Sequence, residues 1–595
     1  MTGKIKATLL ALSFVMASMS PVAAQESASD EFQAVMDEHW AWSLERRPTF
    51  ATSIGVRDYD DRIGSAAIEH YEAGIEQQRV FKARLDAIDK AALGLQERIN
   101  YDLLSLNISN AIDGAAFGGK YLLLTNRYGP HTVVTRLPDR LPFFTSADYQ
   151  SYVTRLGDIP RYLEEATETL TMGAAAGWVQ PCTPMKRVDG NIRFHLVDDV
   201  ADSVFLKPFA KKPASIKSRD WKKLEKQARS TVKDTVLPAL SAYADFYTDE
   251  YAGSCREEIG ALTLPDGAEY YAHRAKVFTT TDQTPDDIHA LGLSEVKRIR
   301  KEMDGVIKEV DFKGDFKAFQ EFLRTDPQFY VKTEEALLEK TAAISKKADG
   351  ELPNLFTKLP RMPYTVKPVP ADIAEGATTA YYERPAGDGS RAGVYRINTS
   401  LLDQRPIFEL EALSLHEAVP GHHFQIALSQ ELTLPAFRKY GGFTAFTEGW
   451  GLYAESLGLD IGFYEDPYQN FGRLSYEMWR ACRLVVDTGM HAKGWTRQQA
   501  IDFMAENTAL SLHNIESEVD RYITWPGQAL AYKMGQLKIK ELRTRASKTL
   551  GADFDLRRFH DAVLENGAIP LSLLETNMDQ WIADEKAASK NERTE

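Results

Sequence analysis

Apolar residues recur every three or four positions over 30–46, 66–90, 92–112, 147–172 and 218–247, with polar faces between them. That is the period of an amphipathic helix, so the first half of the chain reads as a helical lobe. Pro- and Gly-rich stretches interrupt it at 173–190 (MGAAAGWVQPCTP) and at LPDGAEYY from Leu264, which is taken as the lobe boundary. Helical spacing returns near 284–310, 315–324 and 333–347. The period then changes over 360–400, where YTVKPVP, TTAYYERP and AGVYRINT are short, β-branched or aromatic, and broken by Pro and Gly. These predict the strands of a small sheet. From about Phe408 to the end the pattern is helical again. The expected fold is mainly α, with an N-terminal helical lobe (25–263), a second lobe carrying the small sheet (264–585) and a disordered charged tail (586–595).

Composition narrows the function classes. The chain has 595 residues, 44% of them hydrophobic, enough for a sizeable core. Its formal net charge of −14 and the lack of any basic stripe argue against a nucleic-acid partner, which needs clustered Lys and Arg against phosphates. Lys4 and Lys6 precede an apolar run from about Ala7 to Met19, followed by Val22-Ala23-Ala24. This is the layout of a signal peptide (1–24) cleaved after Ala24, and it predicts a periplasmic or secreted protein. The run is shorter than the roughly 20 residues of a membrane span, and no cysteine follows it to carry a lipid. No membrane anchor is therefore expected after cleavage. Of the three cysteines, Cys182 and Cys255 lie in loop-like contexts and are free to pair in an oxidising compartment, whereas Cys482 sits in an apolar helical run and reads as a buried thiol.

The candidate chemistry centres on SLHEAVPGHHFQ, residues 414–425. A zinc-peptidase helix carries two ligand histidines four residues apart with a glutamate beside the first. His416 and Glu417 fit, but the fourth position after His416 is Pro420, and the next histidines are His422 and His423. On a regular helix His423 would share the face of His416 but stand about 10 Å along the axis, and His422 would point about 240° around it. Neither places two ligands on one ion. Pro420 removes an N–H and clashes with the preceding turn, and Gly421 relaxes the backbone, so the pair permits a bulge or break that brings a later histidine round. His422 is the expected second ligand, with His423 as the alternative. The tyrosines at 381, 382 and 395 could line a substrate groove along an edge strand, or simply pack on the sheet.

Residues 444–456, TAFTEGWGLYAES, resemble the N-E-G-F-A…E segment of zinc aminopeptidases. That resemblance implies Glu448 as the third ligand and Glu455 as an outer carboxylate orienting an imidazole N–H. The HEAVPGHHFQ block, with FTEGWGLYAE, DTGMHAKGWT and RYITWPGQALAYKMG after it, resembles a large, mainly bacterial family known as domain of unknown function 885. The likeness covers nearly the whole mature chain. It implies a mostly helical, zinc-metallopeptidase-like architecture with a deep cleft and a glutamate as third ligand. In such a site Zn2+ activates water, and Glu417 is placed to act as general base. Candidates to stabilise an oxyanion or clamp a substrate carboxylate are Arg521, Tyr522 and Tyr532, which flank a Pro-Gly turn; alternatively Arg521 and Tyr522 cap a helix. His491, four residues after Asp487, reads as half of an orienting or a surface pair, and His513 as a possible substrate contact. The expected function is an exported zinc-dependent peptidase acting on short peptides. A cell-wall peptide amidase and a non-catalytic metal-containing peptide-binding protein are the alternatives.

Overall fold

In a computed structural model of the protein, residues 21–592 are described. The expected signal peptide lies outside the described residues except for its last four, which begin the helix Pro21–Arg46. Among the described residues no helix is long and apolar enough to cross a membrane.

The architecture is mainly helical with one small three-stranded sheet. Its long helices start where sequence signals allow. Pro285–Glu309 opens on a reciprocal cap, in which Thr284 accepts from the Asp287 N–H and the Asp287 carboxylate accepts from Thr284. Its Ile288, Ile299, Met303 and Val306, spaced at helical intervals, are buried along Pro467–Ala492. Elsewhere one expected helix is two: 147–172 divides into Ser146–Gly157 and Ile159–Ala175, because Pro160 has no N–H to continue the first ladder. The last helix, Leu571–Glu592, runs into the stretch expected to be a disordered tail from 586, its final turns held by Arg558 to Glu585 and by Ser589 on the Glu585 carbonyl.

The largest apolar core joins residues from Phe32 to Ile108 with residues from Ile299 to Ile582. A second core, from Ile63 to Tyr251, gathers the N-terminal helices alone. Cys182 and Cys255 are disulfide-bonded, beside the one-residue bridge Pro181–Arg256.

The sheet consists of β1 (Tyr364–Pro368), β2 (Ala380–Glu383) and β3 (Gly393–Ile397), in the order β1-β3-β2. β3 is central, parallel to β1 and antiparallel to β2. β2 is therefore an edge, and it packs against Leu410–Glu417, the helix that carries His416. Tyr395, on β3, is fully buried beneath the sheet and takes the packing role rather than the groove.

Candidate functional site

The helix Leu410–Glu417 ends immediately after His416 and Glu417. The chain crosses residues 418–421, with Val419–Pro420 cis, and a new helix begins at His422. Gly421 is required there by space: a Cβ on it would lie 1.9 Å from the His416 carbonyl oxygen and 2.4 Å from that of Leu415. Trp450 pins the crossing by donating its indole N–H to the Pro420 carbonyl at 2.8 Å. The stretched spacing is thus two short helices joined at an angle rather than one bulged helix.

This break brings His416, His422 and Glu448 together, with one ligand-type atom from each, all within 4.8 Å of one another. The imidazole rings stand edge to face at 4.7 Å. Glu448 comes from the helix Thr444–Leu457, and its Oε2 lies 3.2 Å from His422 Nε2 and 3.8 Å from His416 Nε2. In the same helix Gly451 makes room for the His416 ring, since a Cβ there would meet Cε1 at 2.8 Å. On its other side His416 bonds through Nδ1 to Glu455 at 2.8 Å, and Arg480 holds the same carboxylate at 3.1 Å. The Glu455 contact engages His416 Nδ1 and turns Nε2 towards Glu448. Glu448 Oε2 is buried and makes no hydrogen bond of good geometry. Two imidazole nitrogens and an orphaned carboxylate oxygen converging on one point form a donor set suited to a divalent cation of zinc type.

His423, the alternative ligand, is turned away. Its Nδ1 meets the Tyr382 hydroxyl at 2.8 Å and its Nε2 the Met362 carbonyl at 2.9 Å, so both ring nitrogens are engaged elsewhere. Burial lowers its pKa to about 4.

Charge around the cluster is strongly coupled. Burial opposes a charged imidazole, yet Glu448 and Glu455 outweigh it and hold His416 at about 9. Burial likewise opposes the Glu448 carboxylate, but His422 and His416 hold it well below the usual range. Glu417 is raised by burial, with the two histidines pulling the other way, and its Oε2 has no partner.

The cluster lies at a cavity of about 280 Å³, lined by Glu417, His416, His422 and Glu448, by Thr378–Tyr382 at the β2 edge, and by Tyr532. Tyr532 stacks on His416 at 6.2 Å between centroids. A second cavity of about 540 Å³ adjoins the first, sharing Arg127, Tyr128, Tyr381 and Tyr382 with it. A further cavity, about 610 Å³ between Trp40, Tyr71 and Tyr440, has no carboxylate side chain in its lining and lacks this chemistry.

Of the remaining sequence candidates, Arg521 lines the cavity, but its guanidinium is bound on all three nitrogens, to Glu518 through Nε and Nη2 and to Gln528 through Nη1. Tyr522 does not reach the cavity. It is buried, and its hydroxyl accepts from Trp479 Nε1 and Arg483 Nε, both at 2.8 Å. His491 is a core residue whose hydrogen bonds go elsewhere than Asp487: it accepts the Ala261 N–H on Nδ1 and donates from Nε2 to the Tyr522 carbonyl. Asp487 instead accepts from Tyr271 and Gly527. His513 bonds the Glu375 carbonyl away from the cavity. Sequence reasoning missed Arg127, Arg480 and Arg483, which also line the site. The last two stand three apart in YEMWRACRLVVD, and two arginines one turn apart in a long helical run were the available signal.

Fold and site together define a mainly helical protein with a buried His–His–Glu cluster beside the free edge of a small sheet. The chain belongs to the family described as bacterial protein of unknown function (DUF885), whose profile matches residues 48–578. Among solved structures it is similar to the "putative lipoprotein" from Colwellia psychrerythraea, at 28% identity and a TM-score of 0.85, covering 94% of this chain and 99% of that one. It is also similar to the "putative lipoprotein of unknown function" from Shewanella oneidensis, at 19% identity and a TM-score of 0.64, covering 94% and 100%. The second likeness speaks for the fold alone. No curated protein matches the chain.

Proposed function

We propose that the protein is an exported, zinc-dependent peptidase of short peptides. The observation that carries this reading is the convergence of His416 Nε2, His422 Nε2 and the orphaned Glu448 Oε2, with the His416 ring oriented by Glu455. Zinc held by those three residues would supply a Lewis acid and a water whose pKa falls towards 7. Glu417, buried beside the cluster with a free oxygen, takes the proton of the attacking water and passes it to the leaving amine. Tyr532, in the cavity wall, donates its hydroxyl to the oxyanion developing on the scissile carbonyl. The unpaired edge of β2 holds the peptide backbone in extended form, and the small cavity favours short chains over folded proteins. Export fits the N-terminal layout, the Cys182–Cys255 bond and the lipoprotein description of the Colwellia psychrerythraea neighbour.

The test is metal analysis of the purified mature protein and of Glu448→Gln, alongside digestion of a peptide library read by mass spectrometry. About one zinc per chain, lost in the variant, and cleavage of short peptides are expected. Zinc without cleavage across the library would leave a peptide-binding protein in place of a peptidase.

A further inference from the structure

Arg483 stands in the cavity wall with an unusual set of partners. Its guanidinium lies between two aromatic rings, 4.3 Å from the centroid of Trp479 and 4.2 Å from that of Tyr532. Nε donates to the Tyr522 hydroxyl and Nη2 to Glu518 at 2.9 Å. Nη1 is buried and has no partner, although the side chain is only 3% exposed. A buried guanidinium nitrogen without an acceptor is costly, and a site that keeps one has an acceptor to supply.

The surroundings fix the charge of that acceptor. Glu518, completely buried, accepts from Arg483, Arg521 and Arg127 at 2.9, 2.8 and 3.2 Å. One carboxylate against three guanidiniums leaves a positive excess in a chain whose overall charge is −14. Arg127 Nε is a second buried nitrogen without a partner, and it lines both the site cavity and the adjoining one. Arg521, by contrast, has every nitrogen engaged, so the clamp expected of it falls to its neighbour.

We propose, resting on the peptidase reading above, that Arg483 with Arg127 beside it binds a carboxylate of the peptide, and that the carboxylate is the C-terminal one. A planar fork already held on two sides loses little freedom when its free N–H takes an oxygen. Arg483 and His416 both pack on the Tyr532 ring, at 4.2 and 6.2 Å from its centroid. An extended peptide advances roughly 3.3–3.6 Å per residue, so a terminal carboxylate on Arg483 places the bond one or two residues upstream at the histidines. The protein is then a carboxypeptidase or dipeptidyl carboxypeptidase rather than an endopeptidase.

The experiment compares N-acetyl-tetraalanine with its C-terminal amide, in kcat/KM on the zinc-loaded wild type and in binding to zinc-loaded Glu417→Gln by calorimetry. The free acid is expected to be favoured on the order of 10- to 100-fold in both, the range of a charge-assisted bond. Release of alanine or dialanine, with nothing from the interior of longer peptides, is the matching product pattern. Arg483→Lys, which keeps the charge but not the fork, should narrow the difference while zinc content stays at the wild-type level. A second peptide pair, blocked at both ends and carrying Glu or Gln internally, separates the sources. Indifference to amidation with a tenfold preference for Glu keeps the carboxylate site and moves it to a side chain. Indifference to both pairs overturns the proposal. The peptide pairs are compared on the wild type, so they decide the matter even if Arg483→Lys is unstable. Failure of the peptidase reading looks different: no hydrolysis of any peptide, with the acid still bound more tightly than the amide.

Discussion

Glu417 and His423 are neighbours of the cluster with opposite expectations, and each is decided by where its polar atoms point. Glu417 keeps one carboxylate oxygen free and buried in the cavity wall, so Glu417→Gln preserves size and packing while removing the base. Metal content and melting temperature should hold while hydrolysis falls by about 10²–10⁴-fold, the usual worth of general-base assistance. A variant that keeps wild-type turnover would remove Glu417 from the chemistry. His423 has both nitrogens committed to Tyr382 and Met362, so His423→Ala should cost stability but keep zinc through dialysis against a weak chelator. His422→Ala should lose zinc in the same dialysis, and the reverse order would mean that the ligand has been misassigned. The residues grouped in the cluster were legible from the sequence because an H-E pair, two further histidines and a downstream T-E-G carry ligand chemistry in recognisable order. Tyr522 was not legible. Being next to Arg521 says nothing about which side of a helix faces the cavity, and its hydroxyl turned out to be seated on Trp479 and Arg483.

At the scale of elements, the decisive feature is the crossing between the helices Leu410–Glu417 and His422–Glu431. Pro-Gly announced an interruption, but its form depends on contacts remote in sequence, such as Trp450 on the Pro420 carbonyl. The strands were likewise legible by composition and their order was not: three short apolar-aromatic segments look alike until β3 is found between the other two. The crossing makes its own prediction. At Gly421 an added methyl collides with the backbone oxygens of His416 and Leu415, which cannot swing aside as a side-chain tip would. Gly421→Ala should therefore cost about 1–3 kcal/mol in urea unfolding, as overpacking does, and should also lower zinc occupancy by tilting His422 away from His416. Normal stability together with normal zinc would show that the crossing tolerates a Cβ and does not set the ligand geometry.

For the whole molecule, the site is completed by a segment that no local pattern announces: Arg127 reaches Glu518 across 391 positions of sequence. The same long-range packing buries titratable groups far from the cluster, and these set how stability follows pH. Burial lowers His39 and His491 to about 4 and His131 and His560 to about 3. The hydrogen bonds of His491 fit the neutral ring, with one nitrogen donating and the other accepting. Burial raises two carboxyls, Asp487 to about 7 and Glu409 to about 8. The two sets act in opposite directions. Below about pH 6.5 the unfolded chain protonates histidines that the folded protein keeps neutral, so stability is lost as pH falls from there towards 4. The carboxyls hold protons in the folded state that the unfolded chain has released, so their contribution is lost as pH rises from about 4 through 7 and 8. Near pH 5 five histidine protons, that of His423 among them, oppose two carboxyl protons, a net slope of about 4 kcal/mol per pH unit favouring higher pH. Above about pH 6.5 these histidines cease to contribute, and the two carboxyls, joined by the raised His416, give a shallower decline. Calorimetric melting temperatures between pH 4.5 and 8.5 should therefore peak between about 6 and 7, with the steeper side acidic. A melting temperature that climbs steadily as pH falls from 6.5 to 4.5 would show that these histidines take up their protons without unfolding, and that burial does not hold them neutral.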